Sequence, residues 1–568
     1  MQQVETSSAP WPHRPWIMAA IGALTGLLID HLGDQWLFYT THADAIWRPA
    51  ATAGVMVAGF AFLLTAERQR WWWSAGFALA WGTVIGLIGW YGAAYGYQHD
   101  LFEFPFFSGL LAVLIAAPLF QVVRDEQRLV LPYRPLHRYA WTDAIIGGAS
   151  LAFIGLSFAL AFMLAALFRP LGIHLLADLL QKSWFVWMLA GAAFGGASAV
   201  LRERDLLLGT LQRLVMVVFA VLGPVLAAAL LVFLVALPLT GFAGLWRSGL
   251  PETPLLLSAA AFAFVFLNAI IGDSAEDRSS GRLWRWTALV LAVEMLPLGV
   301  LALVSMMMRV GQYGWTPARI WGVIASLVAT GYGVAGWLAV ARRRWDYDAL
   351  LRPYQARLAV GLCGLALVLA LPLIDFGAIS ARSQLARLES GRVTVGQFDW
   401  AAMAFDFGPT GRAALTRIAG QGPIDQRPLA VAALKSTNRW DAKQIADHQE
   451  SLAGLGQRLR LVSPDIVLND DVKRRISANG YCPRDARCAL IRVSPDRLML
   501  VSTRGRDSIA TAQLISLKGN ADECCGLAVE ADPVASVKAD PATARIELRE
   551  VRRRQLFVDG KPVGQPVE

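Results

Sequence analysis

Arg357–Ser390, RLAVGLCGLALVLALPLIDFGAISARSQLARLES, opens as a sequence suited to hydrocarbon and closes as one suited to water. From Leu358 to Ile379 its one charged residue is Asp375, and the run is long enough as a helix to cross a bilayer core of about 30 Å. From Ala381 onward, Arg382, Arg387 and Glu389 interrupt the apolar residues at helical spacing until Gly391. The expectation is a final transmembrane helix over 358–379 that continues into a polar helix, which Gly391 stops.

The rest of the chain divides at the same place. Of its 568 residues 55% are hydrophobic and 17% charged, with mean hydropathy +0.45, a composition too apolar for a soluble protein of this length. The apolar blocks fill positions 16–379, whereas 380–568 is an ordinary soluble mixture rich in Arg and Asp. Two domains follow: a helical membrane domain, 1–379, and a soluble α+β domain, 380–568.

No unpaired backbone group is tolerated in hydrocarbon, so each apolar run of about 20 residues reads as a helix. Eleven qualify: 16–38, 49–66, 73–96, 105–123, 142–168, 183–201, 212–239, 254–272, 286–308, 317–341 and 358–379. The first lacks the cleavage site of a signal peptide and reads as a retained helix. Trp71–Trp73, Trp184 and Trp187 stand at run ends, as interfacial aromatics do. The segment GIHLLADLLQ, 172–181, is too short to cross and suits the membrane surface.

Arginine alternates between successive gaps. Even gaps hold Arg68 and Arg70, then Arg124 to Arg138, Arg202 and Arg204, Arg278 and Arg282, and Arg342 to Arg352; odd gaps hold one or two basic residues or none. By the positive-inside rule the N-terminus is cytoplasmic and the C-terminal domain lies outside, which in a Gram-negative cell is the periplasm. The same distribution accounts for the formal charge of +9 and argues against nucleic acid as a partner. The bilayer is the partner this pattern implies.

Ionisable side chains at bilayer depth need a reason. Glu294 is the most central, three residues before Pro297, and reads either as a proton or cation site or as a packing acid. Asp30 and His31 pair a carboxyl with an imidazole near the end of the first run, suited to proton transfer or to a solvated helix end. Asp143 reads as a helix N-cap and Asp375 as an interfacial acid.

Between the ninth and tenth runs, RVGQYGWTPARIW (309–321) offers a glycine turn, an N-cap in Thr316 and Pro317 at the first helical position. Arg309, Tyr313, Trp315 and Arg319 make it a candidate outer-loop motif. With SQLARLESGRVTVGQFDWAAMAFDFGPTGRAAL (383–415), this stretch resembles the bacterial polytopic membrane family catalogued as domain of unknown function 4153. The resemblance implies a multi-span inner-membrane protein with an outer C-terminal region. It implies no reaction, substrate or catalytic residue.

In the tail, helices are expected at 410–419, 441–457 and 468–477, followed by strands CALIRVS, RLMLVST, IATAQLISL, GLAVEA, ARIELREV and QLFVDGKPV with a hairpin at Asp559-Gly560. One histidine, His448, supplies the whole tail, and no GxSxG, HExxH or phosphate-binding loop occurs. No cofactor is implied and no catalytic motif is recognisable. If the tail is extracytoplasmic, Cys482, Cys488, Cys524 and Cys525 sit where thiols oxidise. Two bridges between the GYCPRDARC loop and the ECC turn are the favoured pairing, a local Cys482–Cys488 bridge the second, and a four-thiolate metal site the last, so no metal is expected.

Three functions fit. A transporter of a small solute or lipid-linked molecule would use Glu294, with the Asp30–His31 pair as a second candidate; an envelope transferase would act on a lipid-linked substrate; a sensor or scaffold would bind envelope protein partners through the outer domain. The transferase is disfavoured by a short first outer loop, 33–48, with only Asp34 and Asp44 as acids.

Overall fold

The computed structural model describes residues 11, 13–33, 47–94, 100–241, 251–278, 281–443, 455–478, 482, 486–504, 511–517, 541, 543–546, 554–558 and 561–567. Packing divides the chain into two units, Met1–Ala386 with Asp406–Gly411, and Arg387–Phe405 with Arg412–Glu568.

The first unit is a helical bundle: α1 (Arg14–Leu32), α2 (Trp47–Thr65), α3 (Trp71–Ala94), α4 (Asp100–Glu126), α5 (Tyr133–Phe168), the short α6 (Leu175–Leu180), α7 (Ser183–Glu203), α8 (Asp205–Thr240), α9 (Glu252–Ile271), α10 (Arg282–Tyr313), α11 (Pro317–Arg343), α12 (Tyr347–Ala370) and α13 (Phe376–Glu389). Among the described residues ten helical segments are long and apolar enough to cross a membrane, the tenth running Pro317–Ala370. That segment is two helices, α11 and α12, because the chain turns back at Arg344–Asp346, where Arg344 takes φ 47°. All eleven expected runs therefore have a helix of their own.

Two local readings are corrected. The last crossing helix stops at Ala370, since Leu371 precedes Pro372 and is extended (ψ 150°), a conformation that proline imposes on its predecessor. The polar helix α13 is thus separate, and Asp375 is its cap, accepting from Ala378 N at 2.8 Å. Asp143 caps nothing: α5 begins ten residues earlier, and the buried Asp143 carboxylate holds Arg202 at 3.0 Å and the Gln121 amide.

Without a hydrophobic drive between helices in lipid, close backbone approach takes its place. Gly22 and Gly26 on α1 face Gly191 and Gly195 on α7 so closely that a Cβ on Gly191 would lie 2.0 Å from Gly22 O. Gly54 meets Gly82 and Gly86 across α2 and α3, and Gly299, Gly333 and Gly336 line the α10–α11 crossing.

The arginine-rich helix ends gather at one end of the bundle and are tied there by buried polar contacts. Arg14 donates to Ala66 O at 2.6 Å, Arg70 to Arg124 O at 2.6 Å, and the fully buried Arg124 to Thr65 O and Asp125. Arg352 donates to Ile271 O at 2.7 Å and pairs with Asp348, as does Arg278. Buried arginines with this many partners fix helix ends.

In the second unit α14 (Trp400–Phe405) is wholly buried and starts at Asp399, whose Oδ1 accepts from Ala402 N at 2.8 Å. Helix α15 (Gly408–Gln421) carries the chain across the unit boundary, followed by α16 (Arg427–Lys435). A four-stranded sheet, β1 (Leu459–Leu461), β2 (Ala486–Ser494), β3 (Arg497–Arg504) and β4 (Thr511–Ser516), has order β1-β2-β3-β4, with β1 parallel to β2 and the rest antiparallel. Helix α17 (Asp470–Ala478) adds Val472 and Ile476, one turn apart, to a core with Cys488, Leu490, Leu498 and Leu500. Strands β5 (Arg554–Val558) and β6 (Lys561–Val567) pair antiparallel across the expected hairpin, with Val558 opposite Lys561. The strand expected at GLAVEA, residues 547–551 of the one expected at ARIELREV, His448, and the Asp559-Gly560 turn itself lie outside the described residues, and Ala544, Arg545 and Ile546, which open ARIELREV, are not in a strand.

Candidate functional site

Tyr133 and His137 stand one turn apart at the start of α5 and so share a face. The Tyr133 hydroxyl is 3.0 Å from His137 Nδ1, 3.0 Å from Asn268 Oδ1 in the last turn of α9, and 3.2 Å from Gln355 Oε1 near the start of α12. These four side chains come from three helices and close one end of a cavity of about 310 Å³. Among the described residues lining it none is charged; the rest of the wall is apolar, including Trp141, Ala144 and Ala359.

Phe264, Val265 and Tyr332 separate this chamber from a second of about 440 Å³, which they also line. The Phe264 and Tyr332 rings meet edge to face, 5.1 Å apart, and form the waist. The larger chamber runs between α4, α9, α11 and α12 past Ala329 and Val328 to Trp321 and Leu369, with Ser108 as one of its few polar neighbours. Both volumes suit a small-molecule site. Gln355 and Leu369 are fourteen residues apart on α12, so the two chambers extend along the helix for about 21 Å at 1.5 Å per residue. Polar at the arginine-rich end and apolar beyond, the slot has the polarity profile of an amphiphile.

Among the sequence-derived candidates, Glu294 is buried within the α8–α10 packing, with neither carboxyl oxygen hydrogen-bonded in the described structure. It is on the α10 face that carries Thr287 two turns earlier, against which Gly223 of α8 packs, and it lines neither chamber. Pro297 leaves the Val293 carbonyl without its helical donor, and Trp337 Nε1 supplies one at 2.7 Å. Asp30 and His31 occupy the last turn of α1, half-buried and exposed, and are not joined to Glu294. Asp34 and Asp44 lie outside the described residues.

The 309–321 motif is a structural knot. Gly314 takes φ 77° to end α10, Thr316 caps α11, Arg309 pairs with Glu252, and Arg319 donates to Tyr313 O and Gly314 O while its guanidinium lies 5.4 Å from the Tyr313 ring centre. Ser383 Oγ accepts from Trp315 N at 3.1 Å, and Gln384 donates to Tyr313 O and Trp315 O. The two stretches that carry the family resemblance are therefore in direct contact.

In the second unit Cys482 is bonded to Cys488, six residues on, so the favoured pairing of this loop with the ECC turn is replaced by the local bridge. Their Cα atoms are 6.2 Å apart, within ordinary disulfide reach. Cys524 and Cys525 lie outside the described residues. Cys363 is a free thiol on α12.

Sequence reading missed Tyr133, His137, Asn268 and Gln355. The available signal was modest: a Tyr and a His at i, i+4 opening an apolar helix, and single amides near the ends of two others. The model of the family described as Domain of unknown function (DUF4153) matches residues 50–417. No curated protein and no solved structure matches the chain.

Proposed function

The chain belongs to the DUF4153 family of domains of unknown function, and we propose that it binds and handles an amphipathic, lipid-like or lipid-linked molecule in the bacterial inner membrane. The apolar chain would occupy the chamber between α4, α9, α11 and α12, and the polar end would reach the Tyr133 cluster. One observation carries this reading: two adjacent chambers, with Phe264, Val265 and Tyr332 as their shared wall, pass from a polar end to an almost wholly apolar one. Glu294 has no place on that path, so transport through it is not part of the proposal.

Filling the larger chamber tests the reading. Ala329→Trp should place an indole where the chain would lie, and purified wild-type protein should carry an amphiphile class, identified by mass spectrometry of its extract, that this variant loses at least about tenfold. Identical lipid complements in the two proteins would mean that bilayer lipid merely coats the groove.

The arginine-rich end would face the cytoplasm and the sheet-bearing unit the periplasm, where a Cys482–Cys488 bridge is stable. A C-terminal alkaline phosphatase fusion should then be active in cells, while a C-terminal green fluorescent protein should be dark. The opposite pair of results reverses the orientation.

A further inference from the structure

The donors and acceptors around Tyr133 can be counted. A tyrosine hydroxyl has one proton to give and two lone pairs. Three neighbours compete for them: His137 Nδ1, Asn268 and Gln355. Asn268 decides the count, because its Nδ2 donates to Phe264 O at 2.8 Å within α9, which leaves Oδ1 facing Tyr133 as an acceptor. The single Tyr133 proton therefore goes to Asn268. His137 Nδ1 must then carry a hydrogen and donate it to the Tyr133 oxygen, and the Gln355 amide satisfies the second lone pair by presenting its NH2 group, an orientation its planar amide reaches by a half-turn.

This arrangement fixes the tautomer of His137. With the hydrogen on Nδ1, Nε2 is a bare acceptor, and it is buried without a partner among the described residues on a side chain only 7% exposed. A buried imidazole nitrogen left unmatched costs free energy that a donor arriving with a ligand would recover. The surroundings limit what that donor can be. No charged side chain lines the chamber among the described residues, so an ammonium would lack a counter-ion. The buried guanidiniums at this end, Arg352 and Arg278, both pair with Asp348, Arg352 also donates to the carbonyls of Ile271 and Ser274, and neither lines the chamber, so a phosphate there would meet no cation on the wall.

We propose that the Tyr133–His137–Asn268–Gln355 cluster is the headgroup site for an uncharged amphiphile whose polar end is a hydroxyl, a long-chain alcohol or a hydroxyl-headed glyceride, with His137 Nε2 as the acceptor of its proton. The inference rests on the amphiphile-binding reading and deepens it by naming the headgroup. It distinguishes this slot from one built for lipid phosphates, which would need arginine or lysine on its wall.

Three photoreactive probes with the same sixteen-carbon chain test it on the full-length protein in detergent: the primary alcohol, its phosphate monoester and the corresponding amine. The alcohol should label peptides of α5, α9 or α12 and be competed by unlabelled hexadecanol, with the phosphate and amine at least about fivefold weaker, the discrimination expected from one matched hydrogen bond. His137→Phe should lower alcohol labelling about fivefold while the protein stays monodisperse, and His137→Gln, which keeps an acceptor, should restore most of it. Labelling by the phosphate or amine equal to the alcohol's, or an unaltered His137→Phe, overturns the headgroup assignment alone. Absence of slot labelling by all three probes overturns the amphiphile-binding reading with it.

Discussion

The α1–α7 pair and the α9–α12 group solve the same packing problem in opposite ways. Gly22, Gly26, Gly191 and Gly195 bring two backbones into contact, with a notional Cβ at each of the four 2.0 to 2.1 Å from a carbonyl oxygen of the opposite helix. No ligand fits where backbone meets backbone. Around the chambers, Phe264, Tyr332, Trp321 and Met295 hold helices apart while Ala260, Ala325, Ala329 and Ala366 leave the space between them open. Small residues therefore close one region and hollow the other, depending on whether a large side chain stands opposite. The difference teaches that glycine and alanine content alone does not locate a binding site; the partners across the interface do.

The largest effect should come from breaking the closed region. Gly191→Leu puts a branched side chain where the Gly22 carbonyl already lies, an overpacking that the two helices relieve only by separating, at a cost of about 3 kcal/mol or more. Gly155→Leu on α5, where a Cβ meets nothing within 4 Å, is the matched control and should change stability by less than about 0.5 kcal/mol. Thermal loss of the monodisperse peak in size-exclusion chromatography measures both. Equal midpoints for the two variants would remove the claim that α1 and α7 are locked by backbone contact.

The contrast also shows what a single sequence makes legible. Helix number, the alternating arginine ends and the β2–β4 meander were readable because each depends on local periodicity or on a side chain's own cost in lipid. The α1–α7 contact was not: GALTG and GAAFG are visible as glycine spacings, but their partnership joins residues 169 positions apart and is set by the bundle. The polar cluster was hidden for the same reason, since Asn268 and Gln355 are 135 and 222 residues from Tyr133. The N-cap reading of Asp143 fails because the expected run covers only the apolar part of the helix, while α5 extends nine residues further, through Tyr133–Trp141. The Cys482–Cys488 bridge was among the pairings that spacing allowed, yet spacing could not rank it first.

The smallest effect, and the sharpest use of the comparison, concerns Glu294. Sequence singled it out because an isolated acid in an apolar helix is conspicuous, whereas His137 drew no attention among nearby Arg134 and Arg138. In the fold their positions reverse: His137 lines a chamber, and Glu294 is buried on α10, beside the core residues Leu291, Met295 and Leu298 of the same helix, with both its oxygens unmatched among the described residues. A buried polar group without partners contributes nothing that a leucine of similar volume would lose. Glu294→Leu should therefore leave stability unchanged or raise it by about 1 kcal/mol, read from the same chromatographic midpoint, and leave labelling by the alcohol probe at its wild-type level. A fall in stability of more than about 1 kcal/mol would mean that the carboxyl has a partner in the membrane, and a loss of probe labelling would extend the functional region from the α9–α12 chambers to the α8–α10 packing.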